Sequence, residues 1–194
     1  MLSLSKKLFI LLLITSCMGC FTAFAGLFES NVNQNSRDAA LASLVRAVIT
    51  EDSVAIYKLT APESRKEIIK QAGNIFAAYR KLNELIKPAR QEVLDHIKSK
   101  FGDAVNGREF IVSIIDEDVE DLWDAYNSNA QKRLIAAYGS KDAACKQLKE
   151  LMPFYKRALL LEAKRKIGKD MICIDNKWFF VYKEPAVTNK SGGK

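Results

Sequence analysis

Histidine is almost missing from this chain. His96 is the only one among 194 residues, so neither a His-rich metal site nor an ordinary nucleophile–histidine–carboxylate triad has the parts it needs. His96 stands beside Asp95 in a helical stretch, and its first reading is that of a partly exposed helix residue. Proline (4) and glycine (9) are also scarce. No Gly/Pro-rich linker or internal repeat interrupts the middle of the chain, which makes a single domain the economical expectation. Long apolar runs are confined to the N-terminus, and the other hydrophobic residues come in short or periodic stretches.

That N-terminal run has the parts of an export signal. Lys6 and Lys7 give a cationic start, Leu8 to about Ile14 an apolar run, and Ala23 and Ala25 a small-residue cleavage site before Gly26. Residues 1–25 are therefore read as a secretory signal peptide, and the chain as exported to the periplasm or the extracellular space. A rival cut exists, because Ile14-Thr15-Ser16-Cys17 resembles a lipobox, which would leave an acylated Cys17 as the new N-terminus of a membrane-anchored lipoprotein. An uncleaved anchor ranks last: the 18 residues from Leu8 to Ala25 span about 27 Å as a helix, against a hydrocarbon core of roughly 30 Å.

Charge narrows the partners. The whole chain carries 30 basic and 23 acidic residues; without Lys6 and Lys7 the balance is 28 − 23 = +5. Behind a signal peptide the available polyanions are anionic lipids, polymers and acidic proteins, so nucleic acid is not expected as a partner. Of the four cysteines, Cys17 and Cys20 fall in the signal. Cys145 and Cys173 remain as an even pair in an oxidising compartment, and a Cys145–Cys173 disulfide is expected, with two free thiols as the alternative. Closing that loop of about 29 residues would stabilise the fold by roughly 3–4 kcal/mol.

Residues 26–35 read as a flexible lead-in, 36–183 as one globular domain and 184–194 as a disordered tail. Ser36 can cap a helix carrying Leu41, Leu44, Val45 and Val48. Thr60-Ala61-Pro62-Glu63 has the form of a capping box, followed by Ile68, Ala72, Ile75, Phe76, Tyr79, Leu82 and Ile86 at steps of three and four, as one long amphipathic helix ending near Pro88. A further stripe of Val93, Leu94, Ile97 and Phe101 stops at Gly102. Phe110 to Ile115 has strand composition, though so short a run can also open a helix. Helical segments are expected over Val119–Tyr126, Leu134–Tyr138 and Ala143–Met152. Ala158 to Ala163 either extends the last of these or adds a strand. At the C-terminal end, Ile172-Cys173-Ile174, Asp175-Asn176 and Trp178 to Tyr182 read as a hairpin with Cys173 opposite Trp178 and Ile172 opposite Phe179. Both of its faces are apolar, which predicts a covered hairpin. The expected fold is α+β: a helix-dominated N-terminal part packed on a small antiparallel sheet that ends in the hairpin, or mostly α with one hairpin.

Few residues offer chemistry. Asp116, Glu117, Asp118, Glu120, Asp121 and Asp124 crowd one stretch, but the twelve-residue calcium loop needs Gly at its sixth place and Glu at its twelfth, where counting from Asp116 gives Asp121 and Asn127. Acids at a helix start are accounted for by the helix dipole. Nine basic residues between Lys141 and Lys169, among them Lys164-Arg165-Lys166, offer a patch for an anionic lipid or polymer, or simply a solvated face. Trp178, Phe180 and Tyr182, sharing one hairpin face, are the candidate ligand-binding residues, with core packing as the competing use. No cofactor and no metal are expected.

The segment Ala42 to Thr60, holding Ile49-Thr50-Glu51-Asp52, and the terminal Asp175 to Val181, reading Asp-Asn-Lys-Trp-Phe-Phe-Val, resemble small exported bacterial proteins of NTF2-like or related α+β folds. The resemblance implies helices packed on a curved sheet, and it leaves the activity open, since such folds host enzymes, binding modules and interaction domains alike. The functional expectation is a non-catalytic cell-envelope domain that binds a ligand or partner. The alternatives are a pocket enzyme using Asp95, His96 or a carboxylate of the 116–124 cluster, and a membrane-tethered structural lipoprotein.

Overall fold

A computed structural model describes residues 32–167 and 170–182. The expected signal segment with Cys17, the first part of the lead-in and the tail from 184 lie outside the described residues. Among the described residues eight α-helices are followed by one hairpin: α1 (Arg37–Thr50), α2 (Ser53–Leu59), α3 (Pro62–Ala72), α4 (Ile75–Phe101), α5 (Gly107–Asp116), α6 (Val119–Asp124), α7 (Ser128–Tyr138), α8 (Lys141–Ile167), β1 (Met171–Ile174) and β2 (Lys177–Phe180). The fold is helix-dominated, with a small two-stranded antiparallel sheet at the C-terminal end.

Short polar side chains start most of the helices. Ser36, Asp52, Asn74, Asn106, Asp118 and Asn127 each accept a bond from a first-turn backbone N–H of α1, α2, α4, α5, α6 and α7, and Ser140 does the same for α8, its hydroxyl accepting from the Ala143 N–H at 3.1 Å. Such caps satisfy donors that have no partner inside the helix. The exception is α3. Its N-cap is Ala61, which has no side-chain acceptor, so the expected Thr60 capping box is not formed. Thr60 is instead drawn into a parallel bridge with Phe180, the Ala61 N–H donates to the Phe180 carbonyl at 2.7 Å, and the buried Thr60 hydroxyl donates back to the Ile56 carbonyl at 2.8 Å.

Two further local expectations yield to packing. The long helix expected from residue 63 to 86 is broken at Gly73, which ends α3 at φ 87°, and Asn74, which caps α4. Pro88, expected to end one helix or start the next, sits inside α4, and Pro153, expected to follow a helix, sits inside α8. Both prolines are exposed, so the Glu84 and Lys149 carbonyls that lose an intrahelical donor can turn to water. The loss is offset because each helix buries side chains on both sides of its proline. In α4, Leu82 and Ile86 join one apolar cluster while Val93, Leu94 and Ile97 join another. In α8, Ala144, Cys145, Leu148 and Met152 are buried before or at the proline, and Leu159, Leu160 and Ala163 pack after it.

The core has three adjoining parts. One gathers Leu41, Leu44, Ile56, Leu59, Ile68, Leu82 and Met171 from α1 to α4 and the hairpin. A second gathers Phe110, Ile114, Leu122, Trp123, Ala144, Leu148 and Met152 from α5, α6 and α8. Between them lie Val45, Ile49, Ile111 and Ile115, where α1 meets α5. Phe110–Ile115, read from composition as a strand, is thus part of α5. Its apolar run gives one side of the helix to each neighbouring cluster, which is why it lacks a simple helical period. Ala158–Ala163 extends α8 rather than adding a strand.

The hairpin has the expected register: Met171 opposite Phe180, Ile172 opposite Phe179, Cys173 opposite Trp178 and Ile174 opposite Lys177. Asp175 and Asn176 both take positive φ, 48° and 60°, as a two-residue I′ turn requires. The free edge of β2 is covered. The Trp178 N–H donates to the Gln34 carbonyl at 3.0 Å, Gln34 Nε2 donates to the Trp178 carbonyl at 2.8 Å, and the Ala61 contact occupies Phe180. Residues 32–35 of the expected flexible lead-in are therefore held in place, with Val32 packed on the first cluster. Covering the edge in this way removes a template for unwanted strand pairing.

Candidate functional site

The structure separates the residues that the sequence offered for chemistry. Trp178, Phe180 and Tyr182 do share one face of the hairpin, and that face packs on the first core cluster beside Met171. The Arg37 guanidinium lies 5.6 Å from the Trp178 ring centroid. The Ser64 hydroxyl accepts from the Tyr182 N–H at 3.2 Å and donates to its carbonyl at 3.4 Å. On the opposite face Phe179 is buried under the Arg65 guanidinium, 6.0 Å from its ring centroid, and Ile172 stays exposed. The first face is covered at Met171 and Phe180 but leaves Cys173 exposed, and the other is covered only around Phe179. The three aromatic side chains are half-buried and serve the packing that docks β2 onto α1 and α2.

The acidic cluster is distributed among structural tasks. Asp116 receives Arg46 Nε from α1 at 2.9 Å. Glu117, at φ 58°, ends α5 and pairs with Lys156 Nζ of α8 at 2.5 Å, while the same ammonium group donates to the Ile115 carbonyl at 2.9 Å. Asp118 caps α6 through the N–H groups of Glu120 and Asp121, both at 3.0 Å. Glu120 pairs with Lys141 Nζ at 3.2 Å, a bond that raises the lysine's pKa more than any other contact there. Among the described residues no group of three or more His, Cys, Asp or Glu is placed to hold a metal ion. His96 and Asp95 are exposed on α4, and Asp95 accepts from Gln91 Nε2 at 2.9 Å.

The basic run is likewise divided. Lys141 and Lys156 are paired as above, Lys164 lies 4.0 Å from Asp38, and Arg165 lies 2.9 Å from Glu162. Three of these four pairs connect α8 to other helices, so the run works partly as a set of pins rather than as one coherent patch.

Cys145 and Cys173, the expected disulfide pair, are not at bonding distance. Cys145 is a buried free thiol and Cys173 an exposed one. Their separation follows from α8: the 22 residues from Cys145 to Ile167 rise about 33 Å, and the six residues from there to Cys173 reach back about 20 Å at most. The Cα atoms cannot approach the roughly 7 Å that a disulfide requires. Burial is the main reason the Cys145 thiol's pKa lies above its ordinary value, with Glu120 the next cause, which disfavours the reactive thiolate. Burial also pushes the Tyr126 hydroxyl up to about 12, with smaller contributions from Tyr155 and Tyr138.

No family model, curated protein or solved structure matches this chain. The candidate site therefore rests on the chain's own surface. Among the described residues the most exposed large apolar side chains lie in two places. At the corner between α3 and α4, Phe76 is 73% exposed and Ile75 38%. On α8, Phe154 is 70% exposed and Leu161 58%, seven residues apart and hence on one side of the helix. Sequence periodicity missed the first, because Ile75 and Phe76 fitted the stripe of a single long helix. The available signal was Gly73-Asn74, a helix-stopping residue followed directly by a helix-starting one.

Proposed function

We propose that this chain is an exported, non-catalytic protein of the cell envelope that acts by binding through its surface. The observation that carries the reading is the exposure of Phe76 and Phe154, the two most exposed large apolar side chains among the described residues. Aromatic side chains bury more apolar area than almost any others, and leaving two so exposed on ordered helices favours a surface meant to be covered. The engagement of Asp116, Glu117 and Glu120 in ion pairs and of Asp118 in a helix cap supports the same reading, since it gives most of the cluster a structural use. Export is supported by the composition of residues 1–25, and no helix among the described residues is long and apolar enough to cross a membrane. The test is to fractionate the producing cells and take the intact mass of the chain. An envelope or extracellular protein beginning at Gly26 supports the proposal. A cytoplasmic protein retaining Met1, or substrate turnover abolished by His96→Ala or Asp95→Asn, overturns it.

A further inference from the structure

We infer that the α3–α4 corner is a contact site for an anionic lipid surface, with Phe76 as the inserted side chain and Lys70 and Arg80 as its electrostatic support. The inference rests on the binding role proposed above and names the partner. Two features coincide at this corner. The first is the protrusion of apolar side chains: α3 ends at Ala72 and α4 begins at Ile75, so Gly73 and Asn74 alone turn the chain, and both are exposed together with Ile75 and Phe76. The second is one-sided charge. From Ile68 to Asn83 the chain carries Lys70, Arg80 and Lys81 and no acid.

Helical geometry places these groups together. At 100° per residue, Arg80 and Lys87 fall within about 40° of Phe76 around the α4 axis, and all three are exposed. The inward side of the same helix holds Ala78, Leu82 and Ile86 against the core. Lys70 is in the last turn of α3, next to the corner. Lys81 donates to Gln71 Oε1, which ties the first turns of α4 to the end of α3. The nearest acids in sequence, Glu67 and Glu84, flank the stretch, and Glu67 accepts from Gln71 Nε2 at 3.0 Å. An exposed aromatic residue beside basic side chains on a helical surface matches the requirements of interfacial binding, in which the ring enters the headgroup boundary and cations meet acidic headgroups.

The test uses the processed chain recovered from its producing cells, with vesicles of phosphatidylcholine alone or mixed with phosphatidylglycerol. Cosedimentation should favour the anionic vesicles, weakening as salt is raised, with each basic residue near the surface worth about fivefold. Phe76→Ser should weaken binding by about tenfold, as expected for removing most of an aromatic ring's burial. Lys70→Gln with Arg80→Gln should remove most of the anionic preference. These positions are exposed, so circular dichroism should be unchanged. In Phe76→Trp, emission should shift to the blue when anionic vesicles are added. Equal binding to neutral vesicles, indifference to Phe76→Ser, or a loss on Phe154→Ser instead would each overturn the corner as the lipid site while leaving the broader binding role standing. A cytoplasmic chain retaining Met1 would overturn that role whatever the vesicles show.

Discussion

Removing the Phe110 ring should damage the second core cluster more than any other single truncation there, and should do so in a way that Tyr126 reports. Phe110 is 1% exposed, and its ring centroid lies 4.8 Å from Phe101, 5.9 Å from Tyr126 and 6.2 Å from Tyr155. Phe110→Ala loses the transfer energy of the ring and leaves a cavity, together about 3–5 kcal/mol, and each aromatic pair adds about 0.5–1.5 kcal/mol beyond area. A loss near 4 kcal/mol is expected from urea unfolding followed by circular dichroism, and Phe110→Leu, which fills most of the space, should cost less than about 1.5 kcal/mol. The cavity should also hydrate the Tyr126 hydroxyl. In the folded wild type that group titrates at about 12 because it is buried, whereas unfolded tyrosine titrates near 10. The folded state therefore holds its proton longer. The associated stability is fully present below pH 10 and is lost as pH rises through 12, a loss of about 2 kcal/mol after allowing for the ring's partial exposure. In Phe110→Ala the Tyr126 titration, isolated by comparison with Tyr126→Phe, should move down toward 10. A destabilisation below about 1 kcal/mol, or an unmoved Tyr126, would refute the assembly of this cluster around Phe110.

The thiols should behave as two unlike free groups: a chromogenic disulfide reagent should titrate Cys173 in the folded protein and Cys145 only on unfolding, with no change in mass on reduction; two blocked thiols released by reductant would contradict the separation imposed by α8. Asp118→Ala should destabilise by about 1 kcal/mol, because one carboxylate serves two N–H groups of α6; an unchanged urea midpoint would mean that water replaces the cap. Pro88→Ala should stabilise by about 1–2 kcal/mol, the restored N–H to the Glu84 carbonyl outweighing the added freedom of the unfolded chain; destabilisation would show that α4 needs its interruption.

What was legible in the sequence was set by short-range geometry. The hairpin register followed from a two-residue turn between two apolar runs, and Ser36 as a cap followed from its place before a periodic stripe; neither needs knowledge of distant residues. The disulfide, the capping box and the proline stops were read with equally local rules and failed. Distant packing and helix length decided them: β2 claims Thr60, core clusters on both sides hold α4 and α8 across their prolines, and the long rise of α8 parts the cysteines.

Phe76 shows the converse. A periodic stripe is evidence of burial only if the helix is continuous, because the face that a residue presents is fixed by its phase from the helix start. Restarting the helix at Asn74 lets the core choose a new phase, in which Ala78 and Leu82 point inward and Phe76, about 100° or more away from both, does not. The same two residues that break the stripe thus create the exposed corner, and they explain why it escaped a reading by period alone. Restoring continuity tests this: Gly73→Ala with Asn74→Ala removes the left-handed stop and the cap, and should weaken vesicle binding along with stability, whereas Asn74→Ser keeps a neutral cap and should spare both. If Asn74→Ser abolished vesicle binding with the fold intact, the phase of the ring would not account for the site, and Phe76 would lose its leading part.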